Sequence, residues 1–178
     1  MSIYTKAGDK GETGLFSSDK SKKIRVSKGS TRIEAIGSID EANTSLGLAA
    51  SFVKNKKLKG RIIEAQKHLF EAGAILAGAE IEVDKKVIDQ MENEIDEWTV
   101  LMPPLKNFIF PGGTKAAAFI FTARSVVRRA ERLIVKLNEE KKLDFTILIY
   151  INRVSDYLFT LARYVNFREG IREEIWEA

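Results

Sequence analysis

The densest chemical potential in the chain lies in Arg124-Ser-Val-Val-Arg128-Arg129-Ala-Glu131-Arg132, where four arginines and one glutamate fall within nine residues. Arg124, Arg128 and Arg132 recur every fourth position, so a helix stacks them on one face, and Glu131 lies beside Arg128 at i+3. Guanidinium forks match phosphate oxygens bidentately, and a stack of them suits a polyphosphate; the carboxylate is available to hold one fork in place. A solvated helix face can carry the same spacing. The meaning of the stripe therefore depends on the other polar groups in the chain.

A second candidate opens the sequence. Tyr4-Thr5-Lys6-Ala7-Gly8-Asp9-Lys10-Gly11-Glu12-Thr13-Gly14 contains three glycines, two threonines and two lysines in eleven residues. Glycine lets the backbone approach a phosphate, and free N–H groups can then form an anion-binding nest. The segment is not a Walker A loop, because GxxxxGK[ST] is absent, and no dinucleotide-binding unit follows it. A plain turn would have a similar composition. A basic run comes next (Lys20, Lys22, Lys23, Arg25, Lys28 and Arg32), with no acid among residues 20–32; such runs are commonly solvated surface.

Three further stretches place polar groups together. Gly37-Ser-Ile-Asp40-Glu41-Ala-Asn43 sets Asp40 and Asn43 one helical turn apart. Phe108-Ile-Phe110-Pro111-Gly112-Gly113-Thr114 is an apolar patch ending in a turn that aims a helix N-terminus, a feature suited to anions. Tyr150-Ile-Asn152-Arg153-Val-Ser155-Asp156 brings Asn152 and Asp156 to one side of another helix. Polar side chains in an apolar helix can also serve as inter-helix hydrogen bonds.

The elements that must position these groups follow from periodicity. The 178 residues are read as one domain, with a polar opening over 1–31, a helical body over 32–167 and a charged tail over 168–178. The opening, punctuated by glycine around the apolar spots Ile3-Tyr4, Leu15-Phe16 and Ile24-Val26, predicts an ordered loop or short hairpin. Ile36, Ile39, Ala42, Leu46, Ala49 and Val53 keep helical spacing. Ile62, Ile63, Leu69, Phe70, Ala72, Ile75 and Leu76 predict a second helix ending near Gly78, and Val87, Ile88, Met91, Ile95 and Trp98 a third, capped by Asp84 and stopped by Pro103-Pro104. A fourth, capped by Thr114, carries the seam Phe119, Ala123, Val126, Ala130, Leu133 and Leu137, from which Arg128 points away. The fifth runs from about Asp144 to Phe167, with Ile147, Ile151, Val154, Leu158, Leu161 and Val165 inward. Five helices with short connections make an all-α antiparallel bundle, up-down and ferritin-like in outline, the economical architecture.

Composition narrows the chemistry. There is no cysteine, hence no thiolate nucleophile, disulfide framework or cysteine zinc site, and the single histidine, His68, leaves little room for a metal cluster or a serine triad. A ferritin-like metal bundle is disfavoured further by the lack of a Glu-x-x-His motif. The formal charge of +4 and pI of about 9.2 invite an anionic ligand but are too mild for a nucleic-acid binder. No apolar run approaches the roughly 18 residues of a membrane span and no charged-then-apolar leader opens the chain, so a soluble cytoplasmic protein is expected.

Taken in order, YTKAGDKGETGL, RVSKGSTRIEAIGSIDEANTSLG, FIFPGGT, ARSVVRRAERLI and YINRVSDYLFTLAR resemble the signature blocks of the human-type (PduO-type) ATP:cob(I)alamin adenosyltransferases, and the resemblance covers nearly the whole chain. It implies a five-helix bundle that assembles as a homotrimer with active sites between subunits. It implies transfer of the 5′-deoxyadenosyl group of ATP to the cobalt of cob(I)alamin, with release of triphosphate. The corrinoid is itself the nucleophile, which accounts for an enzyme without a protein Ser, Cys or His nucleophile.

Carried over by motif, Thr5, Lys6, Ala7, Gly8, Thr13 and Gly14 would wrap the ATP phosphates, with Lys28 as a further contact. Arg128, Arg129, Ala130, Glu131 and Arg132 align with the nucleotide-binding block, where Arg128 and Arg132 would stabilise charge and Glu131 would orient an arginine or the nucleotide. Asn152 aligns beside ATP, and Asp40 with an aspartate that pairs with the Arg128 counterpart across the interface. Phe108 aligns with a residue under the corrin ring that keeps the lower axial ligand from cobalt, making cob(II)alamin easier to reduce; without the resemblance, Phe108 and Phe110 read as anchors of the connector. Mg²⁺ is expected with ATP, held by phosphates and water because no carboxylate cage is evident. A corrinoid reductase and an adenosylcobalamin-dependent enzyme are the partners implied. The chain departs from the family pattern at Ala42, where leucine is common, and at Gly29, where an acid is common. A non-catalytic carrier or regulatory module could use the same cradle. The tail from Glu169 to Ala178 has no role in this reading.

Overall fold

Five side chains set the helix starts. Ser30, Asn55, Asp84, Thr114 and Asp144 each precede a helix in extended backbone and accept a backbone N–H from its first turn, at 2.7 Å for Asp144 and 2.9 Å for Asp84; each cap satisfies a donor that the helix itself cannot. In the computed structural model, which describes residues 4, 6–17 and 23–177, the helices are α1 (Thr31–Phe52), α2 (Lys56–Leu76), α3 (Lys85–Leu101), α4 (Lys115–Glu140) and α5 (Phe145–Arg168). Asp84 and Thr114 are the caps the sequence predicts, and the chain leaves α3 just before Pro103-Pro104. Thr5, Ile3, Lys20 and Lys22 lie outside the described residues.

The helices form a bundle in which α1 packs on α2 and α4, and α5 on α3 and α4. Thr31 Oγ1 donates to Glu140 at 2.8 Å, joining the start of α1 to the end of α4 and fixing their antiparallel course. Leu46, Ile62, Leu69, Ile120, Ile134, Tyr150, Ile151, Leu158 and Leu161 fill the centre. On α5 the six inward positions expected from spacing are all buried.

Two parts of the core differ from the sequence expectation. On α4 the buried column is Ala117, Ile120, Ala123, Val127, Ala130, Ile134 and Leu137, whereas Phe119, Val126 and Leu133 lie at its margin. The helix is wedged between α1 and α5, and over 26 residues a straight 3.6-residue helix drifts off a strict 3.5 repeat. On α2, Ile63 and Phe70 face out, Phe70 with 68% of its surface exposed. They keep apolar helical company but lie on the far side from the core.

The opening segment is an antiparallel hairpin of β1 (Glu12–Leu15) and β2 (Ile24–Ser27), with Glu12 opposite Ser27 and Leu15 opposite Ile24. It joins the bundle at the end of α2, where Phe16 N–H donates to the Ala77 carbonyl at 2.8 Å.

The connector between α3 and α4 turns at Gly112-Gly113. Asn166 on α5 clamps that turn from both ends: its Nδ2 donates to the Gly112 carbonyl at 2.8 Å and its Oδ1 accepts from Thr114 N–H at 3.0 Å. Gly113 has φ of +101°, and a Cβ there would collide with the Asn166 amide. Gly113→Ala is accordingly expected to destabilise the fold by about 1–3 kcal/mol through backbone strain and displacement of the clamp. A lowered urea midpoint at unchanged slope is the measurement; an unchanged midpoint would contradict it.

Candidate functional site

The arginine stripe stands on α4 beside α5. Arg128, Arg129 and Arg132 are exposed, while Arg124 is half-buried with its guanidinium 5.2 Å from the centre of the Phe159 ring. Burial, reinforced by the like charge of Arg128 and opposed by Asp156, moves Arg124 below the ordinary arginine pKa; it stays a cation, with its charge held close to apolar surface. Arg132 Nη1 donates to the Arg128 carbonyl at 3.1 Å, which sets its side chain back along the helix toward Arg128.

Glu131 does not pair with Arg128. Its Oε1 accepts from Asn152 Nδ2 at 2.8 Å, so Glu131 and Asn152 form one polar unit across α4 and α5. Asp156 lies one turn further along α5 and is held by Arg153 at 2.7 Å, which also reaches Glu92 on α3 at 2.8 Å. The result is a face with three aligned cations flanked by an amide and a carboxylate that are fixed in place.

Adjacent pairs on α1 and α4 behave differently. Glu41 forms an ion pair with Arg129, clasping the two helices at mid-height. Their neighbours Asp40 and Arg128 stand at the same level, yet neither has an ion-pair partner among the described residues. Asp40 instead lines a groove of about 490 Å³ between α1 and α2 that is walled by Phe16, Ile33, Ile36 and Phe70.

The glycine-lysine loop is organised around its own carbonyls. Lys28 Nζ donates to the Gly8 carbonyl at 2.9 Å and Arg25 to that of Ala7 at 2.5 Å, while Lys28 N–H bonds the Gly11 carbonyl at 2.8 Å. A Cβ at Gly8 would lie 3.0 Å from Lys28 Nζ, so the lysine end would have to give by a few tenths of an ångström. Gly11 at φ +79° and Lys6 at φ +59° turn the chain sharply on either side. Lys6, Ala7, Gly8, Thr13, Gly14 and Lys28 thus form one hairpin end. That hairpin docks on the α1–α2 side through Phe16, whereas Arg128, Arg132, Glu131 and Asn152 stand on α4 and α5. Hairpin and arginine stripe thus stand on different elements of one protomer.

Phe108 stands on the α3–α4 connector with 79% of its surface exposed, beside the exposed Phe110, and its ring meets that of Trp176 edge-on with ring centres 6.2 Å apart. Sequence reasoning did not find three residues that shape these sites: Glu41, Asn166 and Trp176. Asn166 carried a usable signal, a polar side chain inside the apolar run of α5, the same signal that singled out Asn152.

A helical bundle with an arginine stripe and a glycine-lysine hairpin has the donors of a polyphosphate-binding protein, and its α3–α4 connector exposes aromatic side chains. The cobalamin adenosyltransferase family model matches residues 3–165, and the chain belongs to that family. It is 40% identical to the corrinoid adenosyltransferase of Bacillus subtilis, across 99% of this chain and 93% of that one. It is 36% identical to the human corrinoid adenosyltransferase MMAB, across 98% and 72%. Among solved structures, a phenylalanine-to-alanine variant of the PduO-type ATP:corrinoid adenosyltransferase of Lactobacillus reuteri, complexed with cobalamin and ATP, superposes with a TM-score of 0.92 at 34% identity, covering 99% of this chain and all of that one. An arginine-to-lysine variant of the same protein, complexed with ATP, gives 0.91 at 35% identity, covering 98% of this chain.

Proposed function

We infer that this chain is an ATP:corrinoid adenosyltransferase whose site is completed between copies of itself. The doubly occupied neighbour, with cobalamin and ATP bound in the same fold, is the observation that carries the activity. In the reaction the cobalt(I) electron pair attacks C5′ of ATP and becomes the new Co–C bond, while the C5′–O bond breaks and its bonding pair leaves on triphosphate. The substrate brings the nucleophile, so the protein aligns the reactants and stabilises the leaving charge. Arg128 and Arg132 supply that stabilisation, Glu131 and Asn152 hold the nucleotide beside them, and Lys6, Ala7, Gly8, Thr13, Gly14 and Lys28 wrap the phosphates, with Thr5 added from outside the described residues.

The unmatched charges support a homotrimer. Among the described residues Asp40 and Arg128 have no ion-pair partner, and the apolar groove beside Asp40 offers a seat for a neighbouring copy; a ring would bring the Asp40 of one protomer to the Arg128 of the next and join hairpin to stripe. Mg²⁺ would accompany ATP on phosphates and water, since no group of three His, Asp or Glu side chains among the described residues is placed to hold a metal. No helix among those residues is long and apolar enough to cross a membrane, consistent with work in the cytoplasm alongside a corrinoid reductase and an enzyme that uses the product.

The test is anaerobic. Protein mixed with ATP, Mg²⁺ and chemically reduced cob(I)alamin is expected to deplete the cob(I)alamin absorption and yield light-sensitive adenosylcobalamin. Binding of both substrates with no product would instead assign a carrier.

A further inference from the structure

The connector that carries Phe108 has little of its own to hold it. Among the described residues, the main-chain hydrogen bonds of residues 103–113 come from α5 or from the segment that follows it. Arg163 donates to the Pro103 carbonyl at 3.0 Å and Asn166 to that of Gly112 at 2.8 Å. Between those two fixed ends, Phe110 N–H donates to the Glu174 carbonyl and Trp176 N–H donates to the Phe108 carbonyl, both at 2.8 Å, around an antiparallel bridge of Ile109 with Ile175. An exposed aromatic is thus held from behind by residues 174–176.

Among the described residues, that returning segment makes one ion pair, beside the hydrogen bond of Ile171 N–H to the Asn166 carbonyl at 2.9 Å. After Gly170 turns at φ +69°, Glu173 meets Arg163 in a two-pronged pair, Nε to Oε1 at 2.5 Å and Nη2 to Oε2 at 3.0 Å. Arg163 is only 4% exposed. A buried guanidinium needs acceptors, and its two acceptors here belong to the two strands that must be kept in register: the connector at Pro103 and the returning segment at Glu173. The fork geometry makes the spacing between them specific in a way an ammonium could not.

We propose that residues 170–177 act as a strap that positions Phe108 for the corrinoid, and that Arg163 and Glu173 are the latch that holds the strap. Both are positioning residues: neither is placed to touch substrate. This rests on the reading of Phe108 as the residue beneath the corrin ring. It gives the charged tail a role in the reaction, through the backbone of the connector.

The chain has two tryptophans, Trp98 buried in the core and Trp176 half exposed on the strap, so emission reports the strap independently of turnover. Glu173→Ala is expected to shift Trp emission to the red, raise acrylamide quenching and lower turnover roughly 10- to 100-fold, as for a small misplacement in a site, with the KM for ATP unchanged. Arg163→Lys keeps the buried charge but loses the fork, so it should show the same two changes in smaller measure, and it decides the matter if Glu173→Ala fails to fold by circular dichroism. In a Phe108→Ala background Glu173→Ala should cost less than about twofold more, because both act through one group. Losses that multiply in the double variant overturn the proposal, as does a red-shifted Glu173→Ala enzyme with normal turnover. If Phe108→Ala alone turns over like the parent, the reading of Phe108 falls; unchanged emission in Glu173→Ala then separately overturns the latch.

Discussion

Arg128→Ala is expected to lower adenosyl transfer by about 100- to 1,000-fold, the magnitude associated with removing one preorganised donor from a developing oxyanion. The side chain is exposed and its guanidinium makes no intrachain ion pair among the described residues, so helix content and melting should stay native. The loss should fall on turnover more than on ATP affinity, because on the proposed reading Arg132 and the hairpin residues would still meet the ground-state phosphates. Asp40→Ala should reproduce much of it if the two residues meet between copies. Mixing then supplies a sharp test. In a ring of Asp40→Ala and Arg128→Ala chains, each mixed trimer has one junction where both native residues face each other. Co-expressed variants should therefore recover about a third of the parental sites per mixed trimer, from two parents that are each nearly inactive. Failure of mixtures to recover activity would place Asp40 and Arg128 in unrelated roles.

The largest effect on stability is expected at Glu94, far from these sites. Its buried carboxylate accepts from Arg61 at 2.8 Å, Tyr157 at 2.9 Å and Gln90 at 3.1 Å, joining α2, α3 and α5. Burial, with the Glu94 charge beside it, raises the Tyr157 pKa far above the ordinary tyrosine value, so its hydroxyl remains a neutral donor. Glu94→Ala strands that hydroxyl and leaves Arg61 with Glu64 alone, at 3.0 Å. Breaking a buried pair from one side costs about 3–5 kcal/mol; the remaining Glu64 contact and the partial exposure of Arg61 argue for the low end, about 3 kcal/mol. At fixed protein concentration this corresponds to a fall in Tm of roughly 6–12 °C for a chain of this size. Adenosylation measured well below Tm should remain near the parental value. A melting curve unchanged within 1–2 °C, against that expected shift, would show that the network contributes little.

Local signals carried much of the fold. Asp84 and Thr114 could be recognised as caps because a helix start needs an acceptor whatever lies around it. The inward positions of α5 could be read because that helix has one apolar stripe. The α4 seam was harder, since Val126 and Val127 are equally apolar and only packing between α1 and α5 chooses Val127. Ile63 and Phe70 carried the right period on the wrong side, because periodicity records apolar character without saying whether the protein core or another surface covers it. Residue types at the candidate site were legible in the same way, but Glu131 pairing with Asn152 instead of Arg128 depends on how α4 and α5 are set against each other. The strap was invisible for a different reason: Phe110 to Glu174 and Arg163 to Pro103 join segments about 60 residues apart, and nothing in residues 169–178 alone announces a partner.

Asn152 meets Glu131 at the arginine stripe, and Asn166 grips the turn at the end of the Phe108 connector, on the same unbroken helix. Fourteen positions at 1.5 Å per residue set them about 21 Å apart along its axis. The arginine stripe and the end of the connector are thus gauged against one rigid rod, and the tolerance with which they are spaced is that of a helix rather than of a loop. A protein that must bring a bulky metal complex and a nucleotide into collinear contact has its ruler built into the core.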